Sequence, residues 1–189
     1  MVEYDAVIVG AGILGLSTAY HIKKKNPRAN VLVVDRLNAA GQANTSKSGS
    51  AFRCLFSSLT NYLLADSSVE FYNHLQKDLD VDLKLKWIGY LWLLTEMNFR
   101  KIVPVLKDLK GRGLEYEEYD GDRLASMLCM KTELSTDEEA QLMQLEDVHK
   151  GVYIPKAGVI DADYLVRYYE EEFQRLDGKI EYCVDVENL

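Results

Sequence analysis

The sequence contains few cysteines and few prolines, with three of each among 189 residues. Cys54, Cys129 and Cys183 are far apart and form no CxxC pair, so neither a disulfide framework nor a zinc site is expected. Reduced thiols in a cytoplasmic compartment are the expectation for such cysteines. The three histidines show no metal-ligand or catalytic-triad spacing; they are His21, His74 and His149. No metal site is therefore predicted.

Long apolar runs and an excess of basic residues are also missing. The longest apolar run, Trp87–Leu94, is far shorter than the roughly 20 residues that cross a bilayer. The N-terminus lacks a basic region followed by an apolar stretch, so no signal peptide is expected. The formal net charge of -8 disfavours a general nucleic-acid binder, which needs a basic face. It still allows a bound dinucleotide, because helix N-termini hold phosphates without net positive charge.

A glycine-rich motif lies between two predicted strands near the N-terminus. Residues 4–9 predict a short buried strand, and apolar residues at helical spacing follow the motif until Asn26-Pro27. The second strand, Val31–Val34, ends at Asp35. This order predicts a dinucleotide-binding βαβ unit. The motif itself consists of Gly10, Ala11, Gly12, Ile13, Leu14 and Gly15.

Each glycine of the motif has a separate physical role. Gly10 allows a tight turn out of the strand, Gly12 allows close approach of a pyrophosphate, and Gly15 allows the helix to pack close to the sheet. Asp35 lies where a carboxylate accepts hydrogen bonds from the adenosine ribose, which argues against a 2′-phosphate. The neighbouring Arg36 keeps that preference open and is a further candidate cofactor-binding residue.

A loop rich in small and polar residues follows the second strand. It runs from Gly41 to Arg53 with the sequence GQANTSKSGSAFR. This segment resembles the equivalent segment of the D-amino-acid-oxidase-like FAD-dependent oxidoreductase superfamily, which includes sarcosine oxidase, glycine oxidase and dye-linked L-proline dehydrogenase. Residues 88–94 and 151–161 resemble a substrate-domain strand and a strand-to-helix element of the same superfamily. The resemblance covers nearly the whole chain and corresponds to the N-terminal half of such proteins.

The resemblance implies FAD as the cofactor. In this superfamily the small-residue loop runs past the flavin, so that backbone amides approach it closely. A valine after the last predicted strand is implied to contact the adenine through its backbone. By position this is Val186, with Val184 as the one-residue alternative, and an NAD-dependent enzyme is the less favoured interpretation. The loop residues implied in cofactor binding are Thr45, Ser46, Lys47 and Ser48.

The resemblance further implies the oxidation of an amino acid or secondary amine, proline-like or sarcosine-like, by hydride transfer to flavin N5. Arg53 is the candidate catalytic-site residue, as a clamp for the substrate carboxylate, because its planar fork is always charged. An ordinary ion-paired arginine is the alternative. Trp87, Tyr90 and Trp92 either line a substrate cavity or pack within a strand core, and packing is favoured. The electron acceptor would be oxygen, a quinone or a partner redox protein.

Two other functions stay open at this point. One is a flavoprotein dehydrogenase of a 2-hydroxy acid. The other is an FAD-binding subunit or fragment that needs a second chain or a missing C-terminal half, since members of the superfamily are usually much longer. In those proteins the second half supplies further parts of the flavin and substrate sites. We therefore expect that a further polypeptide segment completes the site.

The predicted fold class is α/β, with α+β character in the inserted part. It combines a Rossmann-like FAD-binding βαβ layer with an inserted, smaller sheet-and-helix substrate domain. Residues 1–81 and 157–189 are assigned to the FAD-binding domain and residues 82–156 to part of the substrate-binding domain. Within these parts, the pattern predicts a kink or break at Pro104 and a final strand over 180–186.

Overall fold

The computed structural model describes residues 3–187. Its first elements are strand β1 (Ala6–Val9), helix α1 (Ile13–Lys25) and strand β2 (Val31–Asp35). The two strands are parallel neighbours, with Ala6 opposite Val31 and Val9 opposite Val34. The predicted βαβ unit is therefore present, and the glycine motif connects β1 to α1.

The remaining elements are short strands and helices. In chain order they are β3 (Ala51–Arg53), α2 (Leu59–Lys77), β4 (Lys86–Trp87), β5 (Tyr90–Leu94), α3 (Glu96–Gly111), β6 (Glu117–Asp120), α4 (Gly121–Leu128), α5 (Glu138–Leu142), β7 (Lys150–Ile154), β8 (Ala157–Val159), α6 (Ala162–Arg175) and β9 (Lys179–Tyr182). The strands form three three-stranded sheets, in the orders β1-β2-β9, β3-β8-β4 and β5-β7-β6. The first sheet is parallel, whereas the pairings of β4 with β8 and of β7 with β5 and β6 are antiparallel. This combination of a parallel βαβ layer with smaller sheets and helices confirms the predicted fold class.

The chain divides into two compact units. The first contains the described residues up to Ala51, Tyr72–Leu85 and those from Ile160 onward, and the second contains Phe52–Phe71 and Lys86–Val159. The sequence-based assignment instead begins the inserted domain at residue 82, ends it at residue 156, and places residues 52–71 in the FAD-binding part. The assignment of FAD binding and substrate binding to separate domains stays a prediction.

The first unit is built around the parallel sheet. All four valine and leucine side chains of Val31–Val34 are buried, as expected for a central parallel strand. Helix α1 packs against α6, where Tyr20 meets Tyr169 with the ring centroids 5.5 Å apart. Asp161 caps α6 by accepting hydrogen bonds from the N–H groups of Asp163 and Tyr164. These contacts fix the helix that begins at the glycine motif.

The second unit has its own apolar core. The buried residues of this core come from β7, from α2 and α3, and from the segments that follow β3 and α3; they are Cys54, Leu55, Tyr62, Val69, Leu106, Leu109, Leu114, Val152 and Ile154. Helix α3 continues through Pro104 rather than breaking there. Proline removes one helical hydrogen bond, and the burial of Leu106 and Leu109 on the same helix outweighs that loss.

The last predicted strand is shorter than expected. It ends at Tyr182 rather than Val186, because Cys183 adopts a left-handed conformation with φ 59°. The chain then turns toward the end of β2, where Val184 N–H donates to the carbonyl of Asp35 at 2.9 Å. Strands β3 and β8 were not predicted, because three-residue strands carry too little periodicity to detect.

Candidate dinucleotide and substrate sites

The glycine motif forms a tight turn between β1 and α1. Gly10 has φ +105°, in the left-handed region that favours glycine, and its N–H donates to Val34 O at 2.8 Å. A Cβ placed on Gly15 would lie 1.8 Å from Gly10 O, so any side chain there collides with backbone. The motif thus requires glycine at both positions for the steric reasons expected from the sequence.

The N-terminus of α1 is not capped by the residue that precedes it. The N-cap residue is Gly12, which has no side chain, whereas α3 and α6 are capped by the side chains of Thr95 and Asp161. Among residues 3–187, no protein acceptor receives the N–H groups of Leu14 and Gly15. Free N–H groups at a helix N-terminus bind phosphate oxygens, and the helix dipole favours the negative charge.

Asp35 ties the end of β2 to the glycine motif. Its Oδ2 accepts a hydrogen bond from Ala11 N–H at 2.6 Å, and its Oδ1 accepts one from Leu37 N–H at 2.8 Å. A carboxylate has lone pairs for about four hydrogen bonds, so both oxygens can still accept from ribose hydroxyls. The structure therefore brings the predicted ribose ligand directly against the predicted phosphate loop.

The loop after β2 packs onto the same motif. Thr45 Oγ1 accepts a hydrogen bond from Ile13 N–H at 3.1 Å and lies 3.2 Å from the position of a Cβ built on Gly12. Gly41 N–H donates to Ala11 O at 3.0 Å, and Gly41 has φ +74°. Sequence reasoning did not assign a role to Gly41, although a glycine between two turns is a usual signal for a left-handed residue.

The other predicted cofactor residues are held less firmly than the glycine motif, Asp35 and Thr45. Arg36 and Lys47 are exposed, and Ser46 and Ser48 form hydrogen bonds within their own loop. Val186 lies after β9 outside regular structure and is half-buried. The structure thus brings Asp35 and Thr45 into direct hydrogen-bond contact with the glycine motif.

A cleft of about 650 Å³ adjoins the loop in the first unit. Gly41 and Ser46 line it from the loop, and Val166, Arg167 and Glu170 line it from α6. Sequence reasoning did not find this cleft, because it depends on the packing of α6 against a loop more than 100 residues earlier in the chain.

Arg53 lies in the second unit, at the end of β3. Its guanidinium carbon lies 5.3 Å from the ring centroid of Tyr90, 5.5 Å from that of Phe56 and 5.8 Å from that of Trp92. Its Nε is inaccessible to solvent and has no hydrogen-bond partner. Within the part of the chain that the structure describes, Arg53 forms no ion pair. Phe56 was not predicted to contribute here.

A half-buried ion-pair cluster stabilises the same unit. Lys156 Nζ lies 2.7 Å from Asp66 Oδ1 and 2.7 Å from Glu70 Oε1, which connects the start of β8 to α2. Burial alone would lower the pKa of Lys156, but the hydrogen bonds to both carboxylates raise it. Cys54 lies nearby with its side chain fully buried, and burial raises the pKa of its thiol to about 11.

Residues 3–187 contain no cluster of His, Cys, Asp or Glu that could hold a metal ion. No helix in this described part is long and apolar enough to cross a membrane.

The geometry of the first unit fits a dinucleotide. Gly12 places no side chain at the turn, the first turn of α1 has N–H groups without a protein acceptor among the described residues, and Asp35, the predicted ribose ligand, is hydrogen-bonded to the motif. A pyrophosphate needs these features more than a net positive charge.

Comparison with known proteins identifies relatives over nearly the whole chain. Residues 5–189 match the family described as "FAD dependent oxidoreductase" (DAO). The chain is 24% identical over 182 residues to an L-2-hydroxyglutarate dehydrogenase of Indibacter alkaliphilus, covering 94% of the chain and 42% of the relative. It is 28% identical over 187 residues to a putative sarcosine oxidase of Caenorhabditis elegans, again covering 94% and 42%. The chain thus spans less than half the length of these relatives.

A solved structure shares the fold. The L-proline dehydrogenase from P. horikoshii superposes with a TM-score of 0.77 at 17% identity, covering 98% of this chain and 46% of that one. Because the identity is low, this similarity establishes the fold alone.

Proposed function

The chain belongs to the DAO family of FAD-dependent oxidoreductases, and from this premise we propose that its first unit binds FAD for the oxidation of an amino acid or secondary amine. The observation that carries the proposal is the hydrogen bond between Asp35 and Ala11, which joins the proposed ribose ligand to a helix N-terminus whose N-cap residue, Gly12, has no side chain. The free N–H groups of Leu14 and Gly15 would hold the pyrophosphate, and Asp35 would hold the adenosine ribose. When bound, FAD supplies the hydride acceptor.

The loop after β2 would position the pyrophosphate. Thr45 bonds the first N–H of α1, so its hydroxyl fixes the loop at the point where the phosphates approach. Ser46, Lys47 and Ser48 follow Thr45 and extend this surface, and Lys47 is an exposed cation that can approach a phosphate. The backbone after β9, at Val184 or Val186, would contact the adenine; Val184 is already fixed against Asp35.

Titration of the purified chain with FAD tests the cofactor assignment. We expect saturable quenching of flavin fluorescence, with at least tenfold weaker binding of NAD. Thr45→Val removes the acceptor of Ile13 N–H and should weaken FAD binding about tenfold, because one hydrogen bond and the loop position are lost together. Thr18→Val is the matched control, because Thr18 bonds Leu14 O on the exposed side of α1. Equal affinity for FAD and NAD would contradict the assignment.

The substrate assignment rests on Arg53 and on the family. An arginine with no acidic partner among the described residues is suited to receive a substrate carboxylate, since its fork forms two parallel hydrogen bonds. Anaerobic addition of proline or sarcosine to the FAD-loaded chain should bleach the flavin absorbance, and 2-hydroxyglutarate should not. The electron acceptor of the reaction would be oxygen, a quinone or a redox protein.

Two other functions have a specific observation in their favour. A relative that carries the name of a 2-hydroxyglutarate dehydrogenase favours a hydroxy-acid substrate, and bleaching by 2-hydroxyglutarate would establish it. The coverage of 42% of the relatives favours an FAD-binding part that acts with a second polypeptide segment. FAD binding without bleaching by any of these substrates would favour that third function.

A further inference from the structure

Three large apolar side chains are exposed at the C-terminal end of α5. Leu142 has 85% of its surface exposed, Met143 has 69% and Leu145 has 44%. A single exposed apolar residue is ordinary on a protein surface, but three within four positions form a patch, and apolar patches rimmed by polar residues mark interaction sites. We define Leu142, Met143 and Leu145 as the apolar tip.

Hydrogen bonds hold the backbone on both sides of the apolar tip. Leu145 N–H donates to the carbonyl of Ala140 at 2.9 Å, and the Ala140 side chain is buried. Asp147 Oδ1 accepts from the N–H groups of Leu134 and Ser135 at 2.6 and 2.7 Å. Because this backbone is fixed, the exposed side chains are presented in one arrangement, which lowers the entropic cost of binding a partner.

The negative charge of the chain is concentrated in the segment that contains the apolar tip. Residues 115–147 include eleven acidic and two basic residues, which gives a net charge of -9. The rest of the chain has 19 acidic and 20 basic residues, which gives a net charge of +1. The formal charge of the whole chain, -8, therefore arises from this segment. We define residues 115–147 as the acidic segment.

The acidic residues next to the apolar tip have no cationic partner. Glu138, Glu139 and Glu146 are exposed, and within residues 3–187 none of the three forms an ion pair. Lys131, one of the two cations of the acidic segment, is paired with Asp137 at 2.5 Å. The apolar tip is therefore bordered by negative charge that the chain itself does not neutralise.

The combination of negative charge and apolar surface favours one kind of partner. A second copy of the chain would bring a second acidic segment, and an anionic lipid surface would also place negative charge against the first; like-charge repulsion opposes both contacts. A basic surface is attracted to the acidic segment, and apolar side chains on that surface would cover the apolar tip.

We infer that the acidic segment docks a second protein through a basic surface that carries exposed apolar side chains, as a lysine-rich amphipathic helix does, and that the apolar tip packs against those apolar side chains. This inference goes beyond the proposed function, because it depends on neither FAD nor the oxidised substrate.

Fluorescence anisotropy of labelled peptides with the full chain tests the inference. The probe is a peptide of about 14 lysine and leucine residues, ordered so that the leucines share one helical face. One comparison peptide has glutamate in place of lysine, and the other has serine in place of leucine. We expect the lysine–leucine peptide to bind at least tenfold more tightly than either, and to lose at least fivefold in affinity when salt is raised from about 0.05 to about 0.5 M. Equal affinities for the three peptides, or no binding of the first, would overturn the inference.

Substitutions in the apolar tip locate the binding. Leu142→Ser combined with Met143→Ser should weaken binding of the lysine–leucine peptide at least fivefold, because apolar area is lost without a change of charge. Leu63→Ser combined with Leu64→Ser is the matched control, since these neighbours on α2 are 55% and 61% exposed. The control should bind like the wild type. An unchanged affinity in the tip variant, or an equal loss in both variants, would contradict the assignment.

Charge substitutions provide a second, independent set of variants. Glu138→Gln combined with Glu139→Gln should weaken binding at least threefold and reduce its dependence on salt. Glu171→Gln combined with Glu172→Gln is the control, because these two glutamates are also adjacent and lie on α6. A salt dependence that is the same in both double variants and in the wild type would contradict the role of the acidic segment.

Two further measurements test the other occupants. Sedimentation velocity should give the same size for the wild type and for the Leu142→Ser, Met143→Ser variant, and a dimer present only in the wild type would overturn the inference in favour of a second copy. Neither protein should cosediment with phosphatidylcholine vesicles, and cosedimentation of the wild type alone would overturn it in favour of a lipid surface. These outcomes do not depend on whether the chain binds FAD.

Discussion

Asp35 Oδ2 accepts a hydrogen bond from Ala11 N–H at 2.6 Å, across 24 residues of sequence. This contact fixes the end of β2 against the turn between β1 and α1. It therefore holds the proposed ribose-binding position and the proposed phosphate-binding position in one rigid arrangement before any ligand arrives, which would reduce the entropic cost of binding.

Asp35→Asn should weaken this arrangement. The amide keeps an acceptor oxygen but loses the charge, and hydrogen bonds to charged groups contribute about 1.5–3 kcal/mol. We expect the free energy of unfolding to fall by about 1–2 kcal/mol and FAD affinity to fall at least tenfold, measured by urea denaturation and by flavin fluorescence. Asp5→Asn is the control, because Asp5 accepts from Asn30 N–H before β1 begins, away from the motif. Its FAD affinity should match the wild type; an equal loss in both variants would argue against a ribose role for Asp35.

Gly15→Ala should be far more disruptive than an ordinary glycine substitution in a helix. The new Cβ would lie 1.8 Å from Gly10 O, so α1 must move away from the turn. We expect a loss of about 2 kcal/mol or more in the free energy of unfolding, in the range of overpacked cores, together with weaker FAD binding. Gly111→Ala in α3 is the matched control, because nothing lies within 4 Å of its added Cβ. That variant should be unchanged or more stable by up to about 1 kcal/mol, and equal losses in the two variants would contradict the packing argument.

The part of this site that local sequence encodes was predictable. The spacing of Gly10, Gly12 and Gly15 to Asp35 depends on one strand, one helix and the next strand, and the structure has all three in that order. Turn and helix-end preferences act over a few residues, so a single sequence reveals them.

The part that depends on distant contacts was not predictable. The hydrogen bond from Ile13 to Thr45 spans 32 residues, and Arg53 on β3 contacts the rings of Tyr90 and Trp92 on β5. The local sequence pattern of neither segment specifies this contact. The same reason explains the shortened β9, whose end is set by a left-handed residue at Cys183 and its bond to Leu37.

Lys156→Met should destabilise the second unit. It leaves Asp66 and Glu70 facing each other without the ammonium group that both contact at 2.7 Å. For a half-buried cluster we expect a loss of about 1–3 kcal/mol, between the values for exposed and buried pairs. Chemical denaturation at pH 7 measures this loss. Lys131→Met removes an exposed partner of Asp137 and should change stability by less than about 0.5 kcal/mol at the same pH.

Cys54 should make stability depend on pH in the alkaline range. The pKa of its thiol is raised from 9.0 to about 11; burial is the main cause, Lys156 opposes it, and the negative charges of Asp66 and Glu70 add to it. The folded state therefore holds the proton to a higher pH than the unfolded state. The resulting stabilisation is fully present below pH 9 and is lost as the pH rises to about 11.

The difference between wild type and Cys54→Ala isolates this effect from other alkaline titrations. Cys54→Ala should show a flatter decline of the free energy of unfolding between pH 9 and 11, whereas Cys183→Ala, which alters an exposed thiol, should follow the wild type.

A thiol-specific disulfide reagent gives a second measurement at pH 8. Cys129 and Cys183 are exposed and should react rapidly in the folded chain. Cys54 should react only after unfolding, because a protonated, buried thiol is a poor nucleophile. Rapid reaction of three thiols in the folded chain would contradict the burial of Cys54.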